Sequence, residues 1–447
     1  MPDKNKVAFN ETYPVITESD KLYQRALPIM TPVTQTLAKG PGQYVNGVAP
    51  KYLKRGKGAR VWDVDGNEYL DYNMAIGPLS LGYCYPRVDE AIIGQLKDGI
   101  TFSMMHELEV VFAELIHDII PNAEAIRISK TGADVTSAAV RVARAYTGRK
   151  KVLCCGYHGW HDWYISVTSR NSGIPEEIRD LSATIDYNNI ESVKQALDED
   201  TACVILEPFV FEAPKDNFLQ ELKDLCDANG TLLIFDEMWT GFRIALGGAQ
   251  EYFQVTPHLA CYSKAFANGM PISLLTGKKE ILDLFKEEVF FFTTFGGEAL
   301  SLAAAVATIT EMKEKKVAAY LAEKGKRLKD GYNTLAAELG IAHYTRCTGY
   351  DCRTLVSFDA TAGNPLELKS FVQQEMIKRG ILWSGIHNMS FSHTDADIDY
   401  TLAAYREVLG LLKEAVEKNG VASLLKGAII EPVFRKVSNF NTKPVIK

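Results

Sequence analysis

Short apolar runs alternate with helical patterns through the middle of the chain. The runs at 150–159 (KKVLCCGYHG), 202–208 (ACVILEP) and 231–238 (TLLIFDEM) read as strands. Asp134 to Tyr146, Glu191 to Leu197 and Asn217 to Asn229 carry the helical period. Such alternation is the signature of βα units around a mostly parallel sheet, so an α/β fold is predicted. Residues 59–72 (ARVWDVDGNEYLDY) set an Asp-Gly turn between two alternating runs, a hairpin signal. A long helix is predicted from Val317 onward, then strands near Thr354 to Phe358 and Ile381 to Ser384, then a helix over Asp395 to Glu417. The layout is a large α/β domain at 86–320 and a smaller α+β domain. Residues 1–85, an N-terminal arm, and 321–447 contribute to the smaller one. The tail 422–447 has no assignable role.

Composition changes this picture little. The chain has 447 residues, 47% hydrophobic and 23% charged, with 49 basic and 56 acidic side chains and a net charge of -7. No basic run offers a footprint for nucleic acid. The first thirty residues lack the apolar core of a signal peptide and no stretch is long enough to span a bilayer, so a cytoplasmic location is the default expectation. The eight cysteines include no CxxC pair and read as reduced, buried thiols, with no metal site expected.

Chemistry is expected where strands stop, because ligands in open α/β sheets bind beyond the carboxyl ends. That singles out Tyr157, Glu207 and Asp236. In ISKTGADVTSAAVRVAR (128–144) a β run gives way to Thr-Gly-Ala-Asp and then a helix. Free N–H groups at such a start suit a phosphate, and a plain helix cap by Thr131 or Asp134 is the alternative. Asp236 ends an apolar strand where a carboxylate needs a partner, or it caps a helix or makes a surface ion pair. Lys264, in CYSKAFANGMP (261–271), is either a snorkelling lysine or a desolvated amine ready for Schiff-base chemistry. Together a phosphate cradle, a strand-end acid and such a lysine match what pyridoxal phosphate requires.

At this point the residues resemble a known family. LIFDEMWTGFRIALGGAQEYFQVTPHLACYSKAFANGMPIS (233–273) is similar to the signature of class III pyridoxal phosphate aminotransferases, especially their glutamate-1-semialdehyde aminomutase branch. RGKGARVWDVDGNEYLDYNMAIGPLSLGY (55–83), ARAYTGRKKVLCCGYHGWHDW (143–163) and FTTFGGEALSLAAA (292–305) continue the likeness, which runs from about Lys21 to about Val408. The resemblance implies a fold type I transferase working as a homodimer with shared active sites. It implies Lys264, Asp236 and Tyr157 as catalytic residues: the lysine bonded to the cofactor, the acid on the ring nitrogen, the tyrosine stacked on the ring. Thr131, Gly132 and Ala133 would hold the phosphate, with Ala133 replacing a usual threonine. Met238 would pack on the second ring face where valine is usual, and Thr294 would reach the neighbouring subunit's phosphate. Glu207 and Glu212 join the cofactor set by the same matching, Glu212 standing where asparagine is usual.

Departures bear on the substrate. The arginine of the aminomutases' SPVR segment is Thr34 here, and the familiar GNP is GEA, giving Glu298. A site that loses a guanidinium and gains carboxylates suits hydroxyl-rich ligands. Such variants resemble sugar aminotransferases, with the group aminating an octulosonate (8-amino-Kdo type) acid for cell-surface lipopolysaccharide as the nearest match. His106 and Glu107 fall in a region that lines the substrate entrance in the relatives. His158, in GYHGWHDW with Trp160 and His161, is expected to pack and hydrogen-bond around the ring at the substrate side. The function expected is transamination from an amino acid such as L-glutamate to a keto or aldehyde sugar acid. The rivals are glutamate-1-semialdehyde 2,1-aminomutase and a non-catalytic cofactor-binding protein.

Overall fold

The computed structural model describes residues 8–209 and 211–431. They divide into two compact units, 86–318 and the pair of segments 8–85 with 319–431. The predicted tail lies mostly outside the described residues.

The larger unit is built on a seven-stranded sheet: β1 (Ala125–Ser129), β2 (Lys151–Cys155), β3 (Ser182–Thr184), β4 (Thr201–Leu206), β5 (Leu232–Asp236), β6 (Leu259–Tyr262) and β7 (Ser273–Gly277). Their spatial order is β1-β7-β6-β5-β4-β2-β3. Only β7 runs against its neighbours; the β6-β5-β4-β2-β3 ladder is parallel throughout. Every residue of β4, β5 and β6 is buried, as unbroken apolar runs require when both faces of a parallel sheet are covered. Helix α1 (Gly132–Thr147) packs across β4 to β7, presenting Val135, Ala138, Ala139, Val142 and Ala143 to the core. Helix α2 (Ala299–Glu314) is apolar around most of its circumference and correspondingly buried.

Register brings the strand ends together. Cys155 pairs with Leu206, Leu206 with Phe235, and Asp236 with Cys261. The segments starting at Gly156, Glu207, Asp236 and Ser263 therefore leave one edge of the sheet. β1 runs in the same direction as β6, because each is antiparallel to β7, so Lys130 and Thr131 leave that edge too.

In the smaller unit the predicted hairpin forms from Arg60–Asp63 and Glu68–Asp71. Leu53–Lys57 joins one side and Ile381–Leu382 the other, so a sheet edge unites the two chain segments of this unit. Thr345–Tyr350, Arg353–Phe358 and Ile386–Asn388 make a separate antiparallel sheet. None of the eight cysteines forms a disulfide; Cys84 is exposed and Cys155 half-buried, against the expectation that all are buried. No described helix is long and apolar enough to cross a membrane.

Candidate active site

The turn from β1 into α1 is a reciprocal cap. Thr131 Oγ1 accepts from the Asp134 N–H at 3.3 Å, and Asp134 Oδ2 accepts from the Thr131 N–H at 2.8 Å and the Ser129 hydroxyl at 2.9 Å. The capping alternative thus holds, and it leaves the Gly132 and Ala133 N–H groups in the first turn, where no intrahelical acceptor exists. Glycine leaves room at 132: a Cβ there would come within 2.8 Å of Met238 Sδ, the movable end of a flexible side chain that lies against the helix start.

Beyond β2 the chain turns at Gly156, at φ +110. The Tyr157 N–H then donates to Glu207 Oε2 at 2.9 Å, and His158 passes under the site. His158 is 2% exposed, with Nδ1 2.7 Å from Asp236 Oδ2 and Nε2 3.1 Å from the Cys155 carbonyl. A carbonyl only accepts, so Nε2 carries a hydrogen. The second nitrogen faces a carboxylate oxygen, and one further proton is shared between Asp236 and His158. Asp236 is 1% exposed and takes the Met238 N–H on Oδ1 at 3.1 Å. A buried pair of this kind keeps its charge only through such compensation. His158 is thus a buried hydrogen-bonding partner of Asp236.

Glu207 is 5% exposed. Burial pushes its carboxyl up, the Asp236 charge adds to the rise, and His158, the Tyr157 N–H and Lys264 pull it back in part. Burial, with Asp236 and Glu207 adding, likewise raises the Tyr157 phenol. Tyr157 keeps its ring partly open to solvent and meets Tyr164 edge-on, ring centroids 5.6 Å apart.

Lys264 opens a short 3-10 turn, Lys264–Ala267, with φ +58. A left-handed lysine is a strained choice of the kind that collects at functional sites. Its Nζ sits 4.1 Å from the centre of the Trp239 ring, within cation–π range. Trp239 is absent from the residues singled out in the sequence; its only signal was its place three residues past a strand-end aspartate.

Other expected residues have local partners of their own. Glu212 is exposed and ion-paired with Lys215. Thr34, in the smaller unit, closes a local turn, donating to the Thr36 carbonyl at 2.9 Å and accepting the Thr36 N–H. Glu298 caps α2 through the Leu300 and Ser301 N–H groups and holds Lys130 Nζ at 2.7 Å. His106 caps the helix Glu107–Ile119, its Nδ1 accepting from the Leu108 N–H, while Glu107 is exposed in the first turn. His106, Thr294 and Glu298 do line one open cleft of about 380 Å³, with Phe102, Met104 and Glu109.

Known proteins supply the remaining constraint. The description "Aminotransferase class-III" matches residues 44–392. The 3-aminobutyryl-CoA aminotransferase of Cloacimonas acidaminovorans is 35% identical over 387 residues, 84% of this chain and 92% of that protein. The glutamate-1-semialdehyde 2,1-aminomutase 2 of an Exiguobacterium species is 32% identical over 431 residues, 89% and 98% of the two chains. Among solved structures, the pyridoxal phosphate internal aldimine form of the Sphingopyxis sp. MTA144 FumI protein superposes with a TM-score of 0.83 at 28% identity, covering 92% of this chain and 99% of that one. A match across most of the chain, with relatives aligned nearly end to end, settles the family: this chain belongs to the class-III aminotransferases, pyridoxal-phosphate-dependent enzymes of fold type I.

Proposed function

We propose that this aminotransferase holds its cofactor at the carboxyl edge of the seven-stranded sheet and moves an amino group from L-glutamate to a carbonyl acceptor. The observation that carries the placement is the Asp236–His158 pair, a dry carboxylate whose charge a histidine already compensates. The ring nitrogen of pyridoxal phosphate, protonated, is a partner that such a carboxylate favours. The other donors fit the group as well. Gly132 and Ala133 N–H groups with the Thr131 hydroxyl suit the phosphate, and Tyr157 and Met238 suit the two faces of the ring. Lys264 is the amine for the aldehyde.

Bound there, pyridoxal phosphate supplies an electron sink that lets a C–H bond beside the amino group break as a proton transfer. The chain does the rest. Lys264 Nζ would be the base that takes up and gives back that proton. Asp236 would face the ring nitrogen and favour its protonated form, and burial among apolar strand residues would strengthen that interaction.

Two copies are proposed to work together. Phe102, Met104, Met105, Phe290, Phe292 and Phe295 are large apolar side chains between 45% and 83% exposed, all in the larger unit. A second copy of the chain would cover them, and exposed Thr294, within the same stretch, would reach that copy's phosphate.

The acceptor reading changes from the sequence-based one. A sugar acid was expected from the oxygens of Thr34, Glu212 and Glu298, and each is engaged in a local turn, a surface ion pair or a helix cap. The proposed acceptor is instead a short oxo acid or its thioester, the class that the 35% identical relative's name points to. The test follows the visible band of the loaded protein. L-glutamate should bleach it and a 3-oxoacyl thioester restore it. Recovery with an octulosonate-type sugar alone would return the sugar reading, and conversion of glutamate-1-semialdehyde with no donor would make the protein an aminomutase.

A further inference from the structure

Glu207 and Asp236 stand side by side. Leu206 pairs with Phe235 on adjacent parallel strands, so the next residue of each carries its carboxyl to the same edge. Both are more than nine-tenths buried. Two ionised carboxylates this close and this dry repel, and the His158 counter-charge cannot serve both. That counter-charge is committed: His158 bonds Asp236 and spends its other nitrogen on the Cys155 carbonyl. Glu207 takes one N–H bond, from Tyr157 to Oε2. Gly156 makes the contact possible, because a Cβ there would stand 2.6 Å from Oε2. Oε1 has no hydrogen-bond partner among the described residues.

We propose that Glu207 is carried as the neutral acid at neutral pH, and that its Oε1 hydroxyl donates to the anionic ring oxygen of the bound cofactor while the Asp236–His158 pair holds the ring nitrogen. The choice of acceptor rests on the cofactor placement above; the proton on Glu207 rests on this chain alone. Desolvation and Asp236 push the carboxyl up, as noted. The groups facing it are Asp236 at the end of β5, Tyr157 and His158 after β2, and Lys264 after β6. The nearby Cys155 thiol is itself pushed up to about 12 by burial, with Glu207 and Asp186 adding, so it brings no charge at neutral pH. A carboxylic acid kept neutral by a dry site can serve as a donor, whereas a carboxylate cannot.

Infrared difference spectra of the cofactor-free protein, wild type minus E207Q at neutral pH, test the proton. The C=O stretch of a protonated carboxyl is expected; the stretches of an ionised carboxylate would overturn the proposal. In the loaded protein E207Q keeps a neutral donor, and its visible band should follow pH as the wild type does. E207L is neutral without a donor and should move the pH of the spectral transition by about one unit or more. An E207L profile equal to wild type, or E207Q shifted as far as E207L, overturns the donor role. If E207L does not fold, the infrared result and the E207Q profile decide. A wild type that takes up no cofactor would sink the cofactor placement, while the infrared comparison still reports the proton on Glu207.

Discussion

Two buried polar clusters, one in each unit, differ in whether their hydrogen bonds close. In the smaller unit His387 meets Thr354 Oγ1 at 2.8 Å and the Tyr405 hydroxyl at 2.7 Å. His393 accepts from Ser390 on Nδ1 and donates from Nε2 to the Asp71 carbonyl, with the Tyr72 ring stacked 4.7 Å away. Every imidazole nitrogen there has its partner inside the protein. At the strand ends of the larger unit, Glu207 Oε1 has none among the described residues and Lys264 is held in a left-handed conformation. A closed cluster holds a fold together; an open one is shaped around something else.

Substitutions should separate the two kinds. Lys264→Ala is expected to lower turnover by roughly 10³-fold or more while leaving the melting temperature of the cofactor-free protein nearly unchanged, since the proposed role of the lost side chain is chemical. Single-turnover assays beside thermal melts read both, and near-normal turnover would refute the role. His387→Ala should do the reverse. It strands two buried hydroxyls, costs about 2–4 kcal/mol of stability and leaves the rate per folded, loaded molecule intact.

The same histidines predict an acid limit. Burial lowers the folded pKa of His387 to about 3 and of His393 to about 4, from an ordinary 6.5. Below pH 6.5 the unfolded chain takes up protons that the folded chain refuses, so stability falls as pH drops from there toward 4. Urea unfolding across that range should show it, and a flat profile would contradict it. Gly156→Ala comes next in size. The left-handed backbone and the collision with Glu207 should cost about 1–3 kcal/mol and weaken cofactor binding about tenfold in an absorbance titration. Gly132→Ala should cost least, under about 1 kcal/mol, because it meets the flexible end of Met238. A larger loss of affinity than Gly156→Ala gives would reverse the importance assigned to the two turns.

Much of the larger unit is legible in the sequence because unbroken apolar strands stopped by polar residues are a direct imprint of a covered parallel sheet. Asp236, Glu207, Tyr157 and Lys264 could be found by position along it. Boundaries shifted where caps act: α1 starts at Gly132 rather than Asp134, because Thr131 and Asp134 cap each other. The strand expected through Ser384 stops at Leu382, as far as its pairing with Leu70 and Asp71 reaches. Directions after the strand ends were not legible. Positive φ at Gly156 and Gly159 aims His158 beneath the site, and no periodicity encodes that. Of the adjacent Asp236 and Glu237, the second takes a structural role: its buried carboxyl, pushed up to about 7, accepts the Ala249 and Gln250 N–H groups. Substrate residues were least legible, because Thr34, Glu212 and Glu298 each found a partner within the chain.

Lys264 is the residue proposed to be joined to the cofactor. Borohydride reduction of the loaded protein, followed by proteolysis and peptide mass mapping, tests it most directly. A single pyridoxyl-modified peptide is expected, with the added mass on Lys264. Modification of another lysine in its place, or a yellow protein that reduction leaves without any adduct, would contradict it.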